Sequence, residues 1–524
     1  MAGWLGALLP LLLALSLPLP VLAAAAGCDL HWQVTPQHDT VPPQLAVTLT
    51  LDAGNRSRTE LQLPDGSDVA LLAGPGTPAL EPVPGRPLVR SLAHRPGERL
   101  SLRFVVMPGA STWLRLGPDS LLFAAPALLP LPTERGPSGP LQMCLGVDGL
   151  ADSDALLANQ GQTSSAERLL RLQGPATLAR DWVVAAGALQ QAERRVEGQP
   201  LRVVMAAASP MAFNADALAD AAARQLASVR RFWGDAEAPG QLLLALPAPA
   251  DVPARGMTLH QGTLLQLPTL LTLPGSQIDA LLMQAAQQAW FRERFGPVAY
   301  EQRPDDAMNA WFSQGFAGFY SQRLRTSTGQ QSLQAHAAAL TSLLQFDAAA
   351  GAGASASAAP GLAPLTAPWL AMRWHSALRE QGQSGLDAVL KRLIVPAAQA
   401  RAVGPLSSPL ATHRLQAALR HLLADAPRRD LQQWVERSGP PDLNAATLGP
   451  CFRYDPGTQQ VLPGSDGEPT ASCQGWLNGS EPPAGSRAKA PMAKPSAKAG
   501  KKGGTKTSAK GAAKPKKSKQ RARQ

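Results

Sequence analysis

The sequence predicts an α+β fold, with an N-terminal β-sandwich domain, a mainly α-helical domain after it and a disordered basic C-terminal tail. Three observations lead there. Leu45–Leu51 and Leu100–Val106 alternate apolar with polar side chains, the period of a strand with one buried face. From Phe213 to Trp233 the apolar residues recur at helical spacing, and further helical runs follow. Between Arg487 and Gln524 stand 11 Lys and 3 Arg with no acidic residue, whereas the chain before it holds a single lysine, Lys391.

Residues 1–26 read as an export signal. Residues 5–22 are mostly Leu with Ala and Pro, and the small run Ala23–Gly27 suits cleavage, so that the mature chain begins near Ala25 or Gly27. No Lys or Arg occurs before Arg56, and Pro10, Pro18 and Pro20 oppose a retained membrane helix. Ala25-Ala26-Gly27-Cys28 also resembles a lipoprotein cleavage box, which leaves lipid anchoring at Cys28 as the alternative to release into a bacterial periplasm or the medium.

Four cysteines, Cys28, Cys144, Cys451 and Cys473, fit an oxidising compartment and allow three disulfide connectivities. Pairing near neighbours gives Cys28–Cys144 and Cys451–Cys473. The eight histidines are scattered, with no His-x-x-x-His pair.

Residues 27–200 form the β-rich domain and a connector, in which helices are expected near Ser165–Leu172 and Val184–Arg195. Residues 201–447 carry the amphipathic helix to Trp233, a strand at Gln241–Leu246, a strand through Gly256–Leu265, and helices at 277–295, 306–326, 367–381, 385–394, 411–424 and 428–437. The Ala/Gly/Ser/Pro stretch Ala348–Pro364 reads as a loop. Residues 448–480 are a short segment that a Cys451–Cys473 bridge would close.

Two short stretches carry the functional signal: Gln284-Ala-Ala-Gln-Gln288-Ala-Trp290 and Trp311-Phe-Ser-Gln314-Gly-Phe316. With the flanking Gly296-Pro297, Tyr300-Glu301 and Phe319-Tyr320, they resemble the active-site motifs of the glycyl aminopeptidases, metallopeptidase family 61. The resemblance covers residues 201–440 or so, and it implies a β-sandwich followed by a thermolysin- or gluzincin-like catalytic-type domain. In that chemistry two histidines one helical turn apart and a later glutamate hold zinc, and a glutamate beside the first histidine is the general base. Here Gln284, Gln288 and Gln314 stand at the ligand positions and Ala285 at the base.

The edge-strand motif of the family is matched in part by Gly256-Met-Thr-Leu-His260, with Leu259 in place of a glutamate and His260 retained. No counterpart of the family's tyrosine-and-lysine segment is found in residues 361–376. The resemblance therefore implies a degenerate member with no catalytic set, no metal and no cofactor. His260, with Glu293 on the motif helix, is left as the weak candidate for acid–base work.

The tail, residues 481–524, carries +14 from Arg487 onward, so that an overall charge of +11 leaves the rest at −3. Without aromatic residues it cannot bury enough surface to fold alone. Lys501, Lys502, Lys516 and Lys517 mark its densest charge, suited to anionic lipid or surface polymer, with no sequence-specific nucleic-acid readout expected. The leading reading is an exported peptidase homologue without catalysis that binds a peptide, a protein or an anionic envelope component. A residual or altered aminopeptidase-type metallopeptidase and a tail-driven polyanion binder are the alternatives.

Overall fold

The two strands expected from alternation pair with each other. Gln44–Asp52 runs antiparallel to Arg99–Met107 with Leu45 opposite Val106, Val47 opposite Phe104 and Leu49 opposite Leu102. All six of these side chains are at most 1 % exposed, so the period-2 pattern is the inner face of the sheet. The computed structural model describes residues 27–65, 68–72, 79–109, 113–133, 140–164, 168–269, 275–295, 311–353, 363–394, 410–436, 442–465 and 469–479. Residues 1–26, read from sequence as an export signal, Gly296-Pro297, Tyr300-Glu301 and the tail lysines lie outside them.

The N-terminal half is layered β-structure. A seven-stranded sheet has Leu30–Gln37 at its centre, between Leu141–Val147 and Gln44–Asp52. A four-stranded sheet built on Arg58–Gln62 and Arg86–Ala93 and another built on Val183–Gly187 and Ser120–Ala124 complete it. Trp32 is fully buried, donates to the Pro130 carbonyl at 2.9 Å and meets Trp182 edge-on at 5.8 Å.

Both helices expected between 165 and 195 are strands instead. Leu169–Gly174, Val183–Gly187 and Leu189–Val196 occupy that stretch. The reason is visible at Val183-Val-Ala-Ala186, where Val184 and Ala186 enter the N-terminal core while Val183 and Ala185 enter a second apolar layer. A strand buried on both faces loses the alternation by which strands are recognised, and a short apolar run then looks like a helix.

That second layer joins the halves. A five-stranded sheet follows, in the order Leu189–Val196, Gln199–Ala206, Gln241–Ala248, Gly262–Pro268, Arg255–Leu259. The strand expected through Gly256–Leu265 is thus a hairpin of two. Val204, Leu242, Leu244 and Leu264 face the sandwich, and Val203, Met205, Leu243 and Leu265 face the helices. Helix Ala215–Trp233 makes the crossover between two parallel strands, with Asn214 accepting from the Ala217 N–H at 2.9 Å and Gly234 ending it in the left-handed conformation.

The helical body holds Gly275–Phe295, Ala317–Ser327, Leu333–Gly353, Ala363–Glu380, Leu386–Leu393, Leu410–Leu423 and Ala426–Leu431. The loop expected from Ala348 is helical through Gly353, a run of alanines being as good a helix as it is a linker. Residues 442–479 enter the same core through Cys451, Phe452, Val461, Trp476 and Leu477. Disulfides join Cys28 to Cys144 and Cys451 to Cys473, so the Cys28 sulfur is engaged and not available for a lipid thioether. Among the described residues no helix is long and apolar enough to cross a membrane.

Inside this body Arg323 has no exposure and makes a two-pronged pair with Asp387 at 2.6 and 2.7 Å. Tyr320 donates its hydroxyl to Asp387 at 2.9 Å, and the Arg323 Nε donates to the Leu477 carbonyl at 2.8 Å. Burial alone would raise the Asp387 carboxyl, but the Arg323 charge and these hydrogen bonds outweigh it and hold the group down at about 2. Arg323→Met is expected to cost about 3–5 kcal/mol in urea unfolding, because it strands a buried carboxylate. A depressed carboxyl stabilises above its unfolded pKa, so the Asp387 contribution should fade as pH falls from about 4 to about 2, and Asp387→Asn should flatten that slope.

Candidate functional site

Helix Gly275–Phe295 lies between the five-stranded sheet and the helical body, and its side chains divide accordingly. Leu282, Met283, Ala285, Ala286, Trp290 and Phe291 are core residues. Trp290 stacks face to face on Trp233 with centroids 3.9 Å apart and donates to the Asp235 carboxylate at 2.9 Å. Gln287, with no exposure, accepts from Trp233 Nε1 at 3.0 Å. It is a buried amide that the motif comparison passed over, and its lone place on the apolar face was the available signal.

The motif positions sit elsewhere on the helix. Gln284 is exposed, and Gln288 is half-buried and accepts from Thr258 Oγ1 at 3.4 Å. Ala285, turned roughly 100° from its neighbour, packs in the core at 4 % exposure.

The second motif, Trp311–Phe316, is a wide π-type turn leading into helix Ala317–Ser327. Phe312 and Phe316 are buried and join a seam of rings, Phe312 lying 5.5 Å from Phe291 and 4.9 Å from Phe316. Gly315 touches helix Ala363–Glu380 so closely that a Cβ there would lie 2.2 Å from the Ala367 Cβ. Gln314 is exposed. Among the described residues no hydrogen bond joins it to Gln284 or Gln288.

Strand Arg255–Leu259 lies at the edge of its sheet and runs beside the motif helix. Met257 and Leu259 point into the apolar layer under the sheet, Leu259 with no exposure. Gly256, Thr258 and His260 are on the helix side by the pleat. The helix-facing position is therefore Thr258, and Leu259, matched by sequence to the missing glutamate, faces away from the helix.

His260 occupies the hairpin turn. Its Nδ1 lies 3.0 Å from Glu293 Oε1, which also accepts from the Gln261 N–H at 2.7 Å. The imidazole is 26 % exposed and the carboxylate 5 %. Burial pulls the His260 pKa down, but the hydrogen bond and charge of Glu293, helped by Asp181, outweigh it and the net direction is up. One residue back, Arg292 pairs with Asp181 of the N-terminal half and donates to the Thr258 carbonyl at 3.3 Å. Asn159 binds the Asp181 carbonyl at 2.7 Å and the His260 carbonyl at 2.5 Å. The pair named from sequence is thus brought together, inside a polar junction that the sequence did not reveal.

These residues do not fit a zinc ion. Zinc is held by thiolate, imidazole and carboxylate, whereas three carboxamides and an alanine stand at the matched positions. Among the described residues no group of three or more His, Cys, Asp or Glu is placed to hold a metal.

No protein-family model matches the sequence, and no curated protein does. Solved structures do match in shape. An aminopeptidase N family protein from Idiomarina loihiensis superposes with a TM-score of 0.58 at 13 % identity, over 81 % of this chain and 78 % of that one. An M1 zinc metallopeptidase from Deinococcus radiodurans gives 0.48 at 18 % identity over 80 % of this chain and 94 % of that one. The first likeness places the chain in the class of aminopeptidase-like folds, and it is a likeness of fold alone.

The His260–Glu293 pair makes a pH prediction. A histidine whose pKa is raised on folding stabilises below its unfolded pKa and loses that contribution as pH rises through the folded value. Glu293→Gln should therefore lower Tm more on the acid side of about pH 6.5 than well above it, with a loss of order 1 kcal/mol where the imidazole is charged.

Proposed function

We propose that this chain is an exported, non-catalytic peptidase homologue, a degenerate relative of the glycyl aminopeptidases. Its cleft binds a peptide or protein, and its basic tail holds it to an anionic envelope surface. The observation that carries this is the chemistry at four positions. Gln284, Gln288 and Gln314 present neutral amides where zinc requires stronger donors, and Ala285 is a core methyl where the reaction requires a base. Structural zinc sites bind with about 10–16 kcal/mol, which amide oxygens do not supply. Loss of the base alone removes about 10²–10⁴ in rate.

Binding survives the loss of chemistry. The edge strand Arg255–Leu259 has a sheet partner on one side only among the described residues, the geometry by which extended peptides join a sheet. Purified protein is expected to carry less than about 0.1 equivalent of zinc and to leave aminoacyl-anilide substrates uncleaved. One equivalent of zinc, with hydrolysis lost on chelation and regained on zinc addition, overturns the proposal.

A second reading, an altered hydrolase, is favoured by the His260–Glu293 pair alone, because a carboxylate-oriented imidazole with an accessible edge is the form a general base takes. Turnover that disappears in His260→Ala while Tm is kept would select it.

The tail half of the proposal has its own test. The full chain is expected to be retained on heparin with a steep salt dependence, and a chain ended at Ser486 to elute at least about threefold lower in salt. Equal retention of the two would place polyanion binding on the folded body.

A further inference from the structure

Helix Ala471–Asn478 ends on Asn478, which is exposed, and Gly479 follows it in the left-handed conformation at φ +65°. The helix is held from inside up to that point. Cys473 is bonded to Cys451, the Trp476 carbonyl lies 3.2 Å from His375 Nε2, and the Leu477 carbonyl accepts from Arg323. Among the described residues nothing hydrogen-bonds the Asn478 side chain. The other described asparagines differ. The Asn159 amide binds the Asp181 and His260 carbonyls and accepts from the Val183 N–H, and Asn214 and Asn444 cap helices through their side-chain oxygens. Asn55 is exposed but is followed by Arg56. The glycine after Asn478 is dictated by packing. A Cβ on residue 479 would lie 2.3 Å from the Asp387 carboxylate and 3.0 Å from Arg323 Nη2, so the buried ion pair admits no side chain there.

We infer that Asn478-Gly479 is a site of covalent self-modification, at which the asparagine loses its amide and becomes aspartate or isoaspartate. The Gly479 main-chain nitrogen gives its proton to hydroxide and attacks the Asn478 side-chain carbonyl carbon. A C–N bond forms there, the side-chain amide C–N bond breaks, and ammonia leaves with a proton from water, which returns the hydroxide. Water then opens the cyclic imide. Opening at the side-chain carbonyl gives aspartate, and opening at the main-chain carbonyl gives isoaspartate. No co-reactant other than water is needed. A nitrogen whose own residue has no side chain is open to this approach. An asparagine at a helix end, where the last turn frays, can turn its carbonyl onto that nitrogen, whereas an amide held by hydrogen bonds does not reach the attack geometry. The labile pair is thus a consequence of the Arg323–Asp387 packing, which fixes the glycine. The isoaspartate product adds a methylene to the main chain and a carboxylate, so the link between the folded body and the basic segment lengthens and gains negative charge.

The test is to incubate the folded full chain in mildly alkaline buffer and map its peptides by mass spectrometry. Conversion of amide to acid should run at least about tenfold faster at Asn478 than at Asn55, Asn159, Asn214 or Asn444, since a held amide must first break its hydrogen bonds and the Arg56 side chain crowds the nitrogen after Asn55. Two products of equal mass should separate by chromatography, isoaspartate among them, and the rate should rise with pH. Asn478→Gln, a change at an exposed position, should abolish the reaction and leave Tm unchanged. Equal rates at all of these asparagines overturn the assignment. So does conversion of Asn478 to aspartate alone, which is direct hydrolysis without the imide. Conversion that occurs only in urea overturns it as well, because the helix end is then closed in the native chain.

Discussion

A guanidinium with no access to water sets the terms for the helical half. Arg323 is held by Asp387, by the Leu477 carbonyl and by the faces of Phe232, Phe319, Tyr320 and Trp476, whose centroids lie 5.5–5.9 Å from its central carbon. These contacts come from four helices, Ala215–Trp233, Ala317–Ser327, Leu386–Leu393 and Ala471–Asn478, and a buried ion is tolerable only when all are present. His375 locks the arrangement from behind. Burial, with the Arg323 charge, pushes it down to about 3, so it is neutral and bridges the Leu386 N–H to the Trp476 carbonyl. The C-terminal segment is thereby a structural member of the domain. Its last described residue, Gly479, could carry no side chain, since a Cβ would lie 2.3 Å from the Asp387 carboxylate.

The same helix that carries Arg323 begins at the second motif, so the ion pair and the site share a support. Gly315 presses the π-type turn against Ala367, and Phe312 and Phe316 continue the ring seam to Phe291 and Trp374. On the other side, Arg292–Asp181 and the Asn159 hydrogen bonds fasten the motif helix and the hairpin turn to the β-half. The site is thus held from two directions, by close packing on one side and by polar contacts on the other. Its geometry is set before any ligand arrives.

What could be read from the sequence follows from this. Strands with one wet face, such as Gln44–Asp52 and Arg99–Met107, announced themselves by period, and the long helices did so too. Val183–Gly187 did not, because its two faces enter two cores. The direction of Leu259 is not legible for a related reason: a motif match counts positions along the chain, whereas the pleat decides which positions face the helix, and that requires the sheet. The Arg323 network and the Asn159 junction were illegible altogether. Each joins residues tens to hundreds of positions apart, and none of their members departs from ordinary composition. His260 and Glu293 were named together only because both flank the motif.

The motif itself divides along a line of burial. Trp290, Phe312, Gly315 and Phe316, which agree with the aminopeptidase pattern, are core residues here, and changing any of them would open a cavity or drive a clash. Gln284 and Gln314, which disagree with it, are exposed, and Gln288 is half-buried. Substitution at such positions costs little stability unless chemistry is required of them. The persistence of the pattern around the site therefore needs no catalytic explanation, because packing alone demands it. Ala285 is the exception that sharpens the point. It lies in the core, where a glutamate would be a buried carboxylate in need of a partner and an alanine carries no such cost. In an aminopeptidase-like fold of this kind the apolar motif positions are fixed by packing, and the polar ones are left free to vary by their exposure.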